Sequence, residues 1–161
     1  MSDKLSALRE KIKKERDHLD SRKVEEWSHA IAAHLIAEIG KWENLSGAFV
    51  GLYRPLQGEV QLEELERWLW AAGAIPCFPK ITDARYREMR FFQETQEVPP
   101  PLFQMICVPG VLFGTAGERV GRGQGYYDRY LARAPQAIKI GVAFEFQLVE
   151  KFKLAGVHFQ T

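Results

Sequence analysis

The sequence predicts one α/β domain with three layers (α/β/α) and a mostly parallel central sheet. Apolar segments of strand length alternate with segments of helical periodicity, and several strand segments are apolar on both faces, as strands buried between helices are. The chain has 161 residues, of which 46% are hydrophobic and 27% charged, the composition of a globular domain. Because no internal repeat or low-complexity linker divides it, we expect residues 1–161 to form a single domain.

The net charge and the two cysteines disfavour some classes of function. The net charge is +1, from 22 basic and 21 acidic residues, which disfavours a general nucleic-acid-binding protein. Cys77 and Cys107 lie in apolar runs without metal-type spacing, so reduced, buried thiols are expected. No run approaches the roughly 18 apolar residues of a membrane span, and the polar N-terminus is unlike a signal peptide. We therefore expect a cytoplasmic monomer that binds neither nucleic acid nor membranes.

Two helices are predicted at the start of the chain. The first covers residues 3–20, because Leu5, Leu8, Ile12 and Leu19 recur on one helical face. The opposite face is expected to be solvated and carries Arg9, Lys11, Lys13, Lys14 and Arg16. The second helix begins at Asp20 or Ser21 and ends at Gly40, with a buried stripe that includes Val24, Trp27, Ile31 and Leu35.

Strands and helices then alternate along the chain. The predicted elements are a strand at 48–53, a helix from Glu59 to Gly73, a weaker strand at 75–78, a possible strand at 87–92, an extended connector at 99–101, a buried strand at 105–108, a helix at 126–134, a buried strand at 138–144 and a possible last strand at 154–159. Ligands of such folds bind beyond the carboxyl ends of the strands. The segments after Tyr53, Phe78 and Val108 are therefore the first candidates for a site.

The most informative segment is the glycine–arginine loop, residues 119–128. Glycine at every second position from 121 to 125 lets peptide N–H groups approach an anion closely. The loop leads into a helix N-terminus, which favours negative charge, and Arg119 and Arg122 add guanidinium groups that suit phosphate oxygens. The spacing matches neither a Walker loop nor a dinucleotide-binding G-x-G-x-x-G, and a merely flexible loop remains the alternative.

Three side chains at the end of this loop allow two interpretations each. Asp128 can cap the helix or hold a magnesium ion that bridges phosphates. Tyr126 and Tyr127 can pack in the core or stack on a flat heterocycle, and because they are adjacent on a helix, one of each is expected.

This segment resembles the signature of the 5-formyltetrahydrofolate cyclo-ligase family, also called methenyltetrahydrofolate synthetase. Members carry a strand that ends in Val-Pro-Gly, then Phe-Asp, then Gly-x-Arg-Leu-Gly-x-Gly-x-Gly-Tyr-Tyr-Asp. The positions in register are Gly117, Arg119, Gly121, Gly123, Gly125, Tyr126, Tyr127, Asp128 and Leu131. Tyr53-x-Pro55-x-x-x-Glu59, Pro79 with Met89 and Phe91, residues 140–149 and Leu8-Arg9 resemble other family segments, so that the likeness covers about residues 4–150.

The resemblance implies a three-layer α/β fold and the ATP-dependent cyclisation of 5-formyltetrahydrofolate to 5,10-methenyltetrahydrofolate. In this reaction the formyl oxygen is phosphorylated, and ADP and phosphate are released. It also implies the ligands: ATP at Lys4, Arg9, Arg119, Gly121, Arg122, Gly123, Gln124, Gly125, Tyr126 and Tyr127; the reduced formyl folate at Arg54, Glu59, Met89, Phe91 and Tyr126; Mg²⁺ at Asp128; and catalytic roles for Arg122 and Tyr126. Independently of the resemblance, Glu59 can be a carboxylate at a helix start, and Met89, Phe91 and Phe92 can be core residues.

The chain departs from the family pattern at several positions. The family's lysine four residues before Arg9 is replaced by Leu5, with Lys4 one residue away, and the Phe-Asp pair is Phe113-Gly114. Residues 151–161 contain no acidic residue. These changes motivate a second hypothesis, a catalytically weak or inactive relative that binds ATP as a sensor or partner protein. A third is a small RNA-binding module that uses the basic first helix with Arg119, Arg122, Arg129 and Arg133, although the near-neutral charge disfavours it.

Overall fold

The secondary structure consists of four α-helices and nine strands within the part of the chain described here. The computed structural model describes residues 3–42 and 44–149, with side chains from Leu5 onward. The helices are α1 (Asp3–Asp17), α2 (Ser21–Ile39), α3 (Glu63–Ala71) and α4 (Tyr126–Ala132). The strands are β1 (Phe49–Gly51), β2 (Ile75–Asp83), β3 (Glu88–Gln93), β4 (Gln96–Val98), β5 (Phe103–Val108), β6 (Leu112–Gly114), β7 (Arg119–Val120), β8 (Ile138–Gly141) and β9 (Leu148–Val149).

A six-stranded sheet with the order β4-β3-β2-β1-β5-β8 forms the centre of the fold. The four strands β2, β1, β5 and β8 are parallel, whereas β3 and β4 extend the sheet as an antiparallel edge. The predicted fold class, an α/β domain with a mostly parallel central sheet, is therefore confirmed.

Helices cover both faces of this sheet because its central strands are apolar on both sides. Met105 and Cys107 of β5 pack in a cluster with residues of α2 and α3, whereas Ile106 and Val108 pack in a second cluster with residues of α4. Full burial of one large apolar side chain stabilises a fold by about 1.5–3 kcal/mol. Because successive side chains from Met105 to Val108 are buried on opposite faces of the sheet, helices have to cover both faces, which gives three layers.

The connection after β5 contains a small second sheet, which the sequence analysis did not predict. Strands β7, β6 and β9 form it, and Leu5 of α1 packs against Leu112 and Val120 of this sheet. Two- and three-residue strands leave too short an alternation to be recognised in the sequence. The small sheet places the first helix beside the glycine–arginine loop.

Several predicted boundaries are wrong. The third helix begins at Glu63 rather than Glu59, because Gly58 has a φ of +80° and ends a turn instead. Pro99 is extended as expected, but Pro100–Leu102 form a 3₁₀ turn. β5 begins earlier than predicted, β1 is shorter, and β8 ends at Gly141. The possible strand at 154–159 lies outside the described residues.

β2 is nine residues long although it contains two prolines. Its pairing with β1 ends at Cys77, and its pairing with β3 begins at Phe78. Pro76 thus lies in the part paired with β1, and Pro79 in the part paired with β3. Each proline has only one neighbouring strand, so the missing N–H group is tolerated on the other side.

The basic face of α1 is not solvated throughout. Arg16 is buried and Arg9 is half-buried, whereas Lys11 and Lys14 are exposed. None of the helices in the described ranges is long and apolar enough to cross a membrane.

Candidate active site

A pocket of about 610 Å³ lies at the carboxyl ends of the parallel strands. Its walls come from the segments that follow β1 and β5 and from the second half of β2, the regions that the fold class indicated. Helix α1 contributes Arg9, and the glycine–arginine loop closes the remaining side. The volume falls in the range of roughly 300–1,000 Å³ that is usual for ligand sites.

The pocket is strongly basic although the whole chain is nearly neutral. Six arginines and one lysine line it, against one glutamate and one aspartate: Arg9, Arg54, Lys80, Arg87, Arg119, Arg122 and Arg129 against Glu59 and Asp128. Such a concentration of one charge in a concave site favours an anionic ligand.

The backbone of the glycine–arginine loop offers a row of amides. In the described part of the chain, the N–H groups of residues 121–125 donate to no backbone acceptor. Gly123 and Gly125 have φ values of +93° and +77°, in the left-handed region that favours glycine. Consecutive amides in this conformation form a concave anion-binding surface. Two of the three alternating glycines thus have a backbone conformation that other residues rarely adopt, and phosphate binding by the loop stays a prediction.

Arg119 is a fixed part of this site rather than a solvated side chain. Its Nε donates to the carbonyl oxygen of Pro109 at 2.7 Å, and its guanidinium lies 5.1 Å from the ring centroid of Tyr127. Its Nη1 lies 3.6 Å from Oδ1 of Asp128. Burial lowers the pKa of Arg119, and the nearby Asp128 carboxylate opposes this effect. A Cβ at Gly121 would lie 2.9 Å from Nη2 of Arg119, so glycine is required there for the guanidinium to lie against the loop.

Two further cations approach the loop. Arg122 is exposed within it and lines the pocket. Arg9 reaches it from α1, with Nη1 4.0 Å from the position of a Cβ at Gly123. The Lys4 side chain lies outside the part of the chain that the structure describes.

The turn between β2 and β3 is attached to the loop by two arginines. Nη1 of Arg87 donates to the carbonyl oxygen of Gln124 at 3.2 Å, and Nη1 of Arg129 donates to that of Tyr86 at 2.6 Å. Both arginines also line the pocket. The hydrogen bonds hold the β2–β3 turn beside the residues expected to bind phosphate.

Tyr126 and Tyr127 both line the pocket, and both also pack against the apolar cluster below α4. The expected division, with one ring in the core and one in the site, is therefore wrong. Each ring takes part in both environments, because the first turn of α4 begins at the edge of the pocket. Burial raises the pKa of Tyr127, which keeps its hydroxyl neutral.

Glu59 lines another wall of the pocket, in a tight turn that follows β1. Its Oε1 accepts a hydrogen bond from the N–H of Leu56 at 2.8 Å. The turn is held from below by Tyr53, whose hydroxyl donates to the carbonyl oxygen of Val60 at 3.0 Å. Burial raises the pKa of Tyr53, and the negative charge of Glu59 adds to this effect. Since Glu59 precedes α3 by four residues, its interpretation as a helix-start carboxylate is wrong.

Arg54 lies beside this wall and is held by two contacts. Its guanidinium stacks 3.5 Å from the ring centroid of Phe78, and Nη1 is 3.0 Å from Oε1 of Glu66. The aromatic contact and the ion pair fix the plane of the guanidinium at the edge of the pocket.

The two apolar candidates on β3 have different surroundings. Met89 lines the pocket, together with Ile81 and Leu56. Phe91 is fully buried and contacts Phe103 and Tyr130, with ring centroids at 5.3 and 4.8 Å. The expectation that Phe91 lines the site is therefore wrong, because β3 enters the core between these two positions.

The described residues contain no group of three or more His, Cys, Asp or Glu side chains that would hold a metal ion. Asp128 lines the pocket with its carboxylate half-exposed. Gly114 stands where the family has an aspartate. The buried carboxylate of Glu118 lies close to this position, because a Cβ at Gly114 would lie 2.8 Å from Oε1 of Glu118.

Sequence reasoning missed some pocket residues. Lys80, Arg87 and Arg129 line the site without having been candidates for ATP or folate binding. Lys80 lies in the segment after Phe78, which the sequence already indicated as a candidate for a ligand site. That position was the signal from which Lys80 could have been predicted. Arg87 and Arg129 depend on the contact between the β2–β3 turn and the glycine–arginine loop, for which the sequence carries no comparable signal.

Comparisons with known proteins find related sequences and structures. A family model described as the 5-formyltetrahydrofolate cyclo-ligase family matches residues 1–153. A protein of Mycoplasma genitalium named 5-formyltetrahydrofolate cyclo-ligase is 36% identical over 104 residues, which cover 63% of this chain and 62% of that protein. One of the same name from Mycoplasma pneumoniae is 34% identical over 101 residues, 61% of this chain and 60% of its own length. The aligned part thus spans less than two thirds of these curated relatives.

Solved structures match over more of the chain. A 5,10-methenyltetrahydrofolate synthetase from Mycoplasma pneumoniae superimposes with a TM-score of 0.85 and 29% identity, covering 98% of this chain and 96% of that chain. The Aquifex aeolicus 5,10-methenyltetrahydrofolate synthetase gives a TM-score of 0.77 at 28% identity, covering 96% and 85%. The resemblance noted in the sequence is confirmed, and the family model covers nearly all of the residues: this chain belongs to the 5-formyltetrahydrofolate cyclo-ligase family.

Proposed function

We propose that this protein catalyses the ATP-dependent cyclisation of 5-formyltetrahydrofolate to 5,10-methenyltetrahydrofolate. The observation that carries the proposal is the division of one pocket into two unlike walls. One wall has loop amides that donate to no backbone acceptor among the described residues, and several guanidiniums lie beside them. The other wall has Glu59 beside the apolar side chains of Leu56, Ile81 and Met89. A polyphosphate suits the first wall, and a flat, partly apolar heterocycle with N–H donors suits the second.

The phosphate wall comprises the candidates for ATP binding. The amides of residues 121–125 would donate to non-bridging oxygens, with Arg9, Arg119 and Arg122 as charged donors around them. Charge-assisted hydrogen bonds of this kind are worth about 1.5–3 kcal/mol each. Arg119 is held in place by Pro109 and Asp128, so that little side-chain entropy is lost when a phosphate binds.

The folate wall would recognise the pterin ring. Glu59 is held by the N–H of Leu56, which leaves carboxylate lone pairs to accept from the N–H groups of the pterin. Met89 and Tyr126 would contact the ring faces, and Arg54 would lie at the edge. Tyr126 lines the pocket at the end of the glycine–arginine loop, where it would contact both ligands.

Magnesium would enter this site with the nucleotide. Mg²⁺ commonly keeps several waters and uses only one or two carboxylates, so Asp128 with phosphate oxygens and water is a sufficient set. When bound, the ion neutralises part of the phosphate charge.

The reaction takes place in two steps and needs no covalent bond between substrate and enzyme. The formyl oxygen attacks the γ-phosphorus and ADP leaves. The second folate nitrogen then attacks the formyl carbon, the C–O bond to phosphate breaks, and the proton of that nitrogen leaves with the phosphate. The protein's contribution is to hold the formyl oxygen in line with the γ-phosphate and to stabilise the charge that develops. This role suits Arg122, which lines the pocket beside the loop amides.

The proposal is tested by mixing the protein with 5-formyltetrahydrofolate, ATP and magnesium and following the ultraviolet absorption of methenyltetrahydrofolate. We expect product at a rate proportional to enzyme, one ADP released for each product formed, and no product when ATP is omitted. ATP binding without product would instead favour a nucleotide-binding relative that lacks the activity. Absence of both would contradict the proposal altogether.

A further inference from the structure

Arg87 has a backbone conformation that favours glycine. It lies in the turn between β2 and β3 with a φ of +55°, and its side chain lines the pocket. Residues with a Cβ rarely adopt a positive φ, because the Cβ then lies too close to the following carbonyl oxygen. Glycine would fit this position without that cost. Since strained conformations cluster at functional sites, the side chain of Arg87 is a candidate for a role in the pocket.

The side chain of Arg87 contacts the backbone of the glycine–arginine loop. Its Nη1 donates to the carbonyl oxygen of Gln124 at 3.2 Å. The preceding residue of the turn is fixed as well, since the carbonyl oxygen of Tyr86 accepts from Nη1 of Arg129 at 2.6 Å. Arg129 belongs to α4, which directly follows the loop. Two hydrogen bonds of opposite direction thus connect the β2–β3 turn with the loop and with α4.

The hydrogen bond to Gln124 fixes the orientation of the peptide unit between Gln124 and Gly125. In a trans peptide unit, which this one is, the C=O and N–H groups point in opposite directions. A held carbonyl oxygen therefore also sets the direction of the N–H group of Gly125. The next peptide unit is held too, because the carbonyl oxygen of Gly125 accepts from the N–H of Arg129 at 3.1 Å.

Glycine at position 125 gives this contact its importance. Gly125 has a φ of +77° and, without a Cβ, could adopt a negative φ at little cost. Rotation of the peptide unit before it would then turn its N–H group in another direction. A hydrogen bond from outside the loop selects one orientation, which reduces the entropy that is lost when a ligand binds.

We propose that Arg87 is a positioning residue for nucleotide binding, which holds the amide of Gly125 in the orientation that binds phosphate. This inference rests on the proposed function, in which the loop amides bind the polyphosphate. The β2–β3 hairpin also carries Ile81 and Met89 of the folate wall, so the same contact joins the two walls of the pocket. A direct contact between the guanidinium and a phosphate is the alternative that the test has to separate.

The first comparison is between Arg87→Met and Arg85→Met. Arg85 is an exposed arginine of the same turn and is not among the described residues that line the pocket, so its substitution makes the same change in net charge. Titration calorimetry measures the affinity for ATP. Arg87→Met should bind ATP about threefold to tenfold more weakly, which corresponds to one hydrogen bond. The affinity of Arg85→Met should change less than about twofold. Because both side chains are exposed, both variants should unfold close to the Tm of the wild type.

Two further variants separate positioning from direct binding. One donor is sufficient for the carbonyl oxygen of Gln124, so Arg87→Lys should retain most of the ATP affinity. In a double-mutant cycle, Gly125→Ala already disturbs the amide that Arg87 positions, and Arg87→Met should then cost less than about twofold in the Gly125→Ala protein. A direct contact with phosphate would give additive losses instead.

The backbone conformation supplies a second matched pair, Arg87→Gly and Glu94→Gly. Glu94 has a φ of +54° in the turn between β3 and β4 and is also exposed. Relief of the positive φ should change the Tm of both variants by a similar amount. Only Arg87→Gly should weaken ATP binding, because only Arg87 contacts the loop.

Two results would overturn the inference. Unchanged ATP affinity in Arg87→Met would mean that the loop does not depend on this contact, and additive losses in the cycle would mean that Arg87 binds the nucleotide directly. A failure of the proposed function would be distinguishable, because the wild-type protein itself would then bind no ATP or form no methenyltetrahydrofolate.

Discussion

The guanidinium of Arg119 and the carboxylate of Asp128 approach to 3.6 Å across the base of the pocket, although Arg119 is 7% exposed and Asp128 51%. The pair joins a buried residue of β7 to the first turn of α4. Because half of the Asp128 carboxylate faces the pocket, the same group can compensate the Arg119 charge and contact a ligand.

We therefore predict that Asp128→Asn lowers turnover with magnesium and ATP, while ATP affinity measured in excess chelator is unchanged or increased. The substitution removes a metal ligand but also a negative charge beside the phosphates. Steady-state rates and calorimetry check both parts, with the exposed Glu94→Gln as control. An equal loss of ATP affinity with and without magnesium would show that Asp128 acts only by positioning Arg119.

A second prediction concerns the backbone of the loop and uses two glycines with nearly identical φ values. Gly125 and Gly47 have φ values of +77° and +78°, and an added Cβ would meet no atom within 4 Å at either position. Alanine at either position should therefore lower the free energy of unfolding by a similar amount, about 1–2 kcal/mol, from backbone strain alone.

Only Gly125→Ala should also weaken ATP binding, because relaxation of its φ would turn neighbouring amides away from the pocket. Urea unfolding and calorimetry on both variants separate the two effects. Parallel losses of ATP affinity in Gly125→Ala and Gly47→Ala would mean that the loop amides do not bind phosphate.

Much of the fold could be predicted because the strongest signals in the sequence are periodic patterns of apolar residues. The apolar run that became β5 and the helical stripe of α2 were recognised from burial on both faces and from spacing. The β6–β7 pair was missed because such short strands contain no repeat. The β2 boundary was missed because each proline is tolerated by having only one neighbouring strand. That arrangement is a property of the sheet and not of the segment.

The surroundings of individual side chains were recognised less completely, and the burial of Arg16 shows why. It follows Ile12 by four residues and therefore belongs to the buried stripe of α1, a signal present in the sequence. Grouping it with the neighbouring lysines as a solvated face concealed that spacing. Phe91 shows the opposite error, since nothing local distinguishes it from the pocket-lining Met89 two residues earlier on the same face of β3.

A third prediction separates the two walls of the pocket. Glu59→Gln keeps an oxygen that can accept from Leu56, so the turn should remain, but the carboxylate is lost for the pterin. The KM for 5-formyltetrahydrofolate should rise at least about tenfold, as expected for one charge-assisted hydrogen bond, with an unchanged Kd for ATP. Steady-state kinetics and calorimetry test this, with the exposed Glu26→Gln as control. Weaker ATP binding with an unchanged folate KM would place Glu59 on the nucleotide side instead.

A fourth prediction follows from the two thiols. Burial raises the pKa of both Cys77 and Cys107 from 9.0 to about 12. At pH 8.5 the native protein should therefore react with iodoacetamide far more slowly than the protein in urea, where mass spectrometry should show two modified cysteines. Rapid labelling of the native protein would contradict the burial of these thiols.

The same shift gives a pH dependence of stability. Because the pKa is higher in the folded state, the contribution of each thiol is fully present below pH 9.0 and is lost as the pH rises towards about 12. The free energy of unfolding should fall over this window, and Cys77→Ala should reduce that slope even if its overall stability is lower.

The most direct measurement is a crystal structure with a non-hydrolysable ATP analogue and magnesium. We predict phosphate oxygens within about 3.2 Å of amide nitrogens of residues 121–125, with guanidinium nitrogens of Arg119 and Arg122 at similar distances. An analogue bound elsewhere, or one whose phosphates make no contact with these amides, would contradict the account.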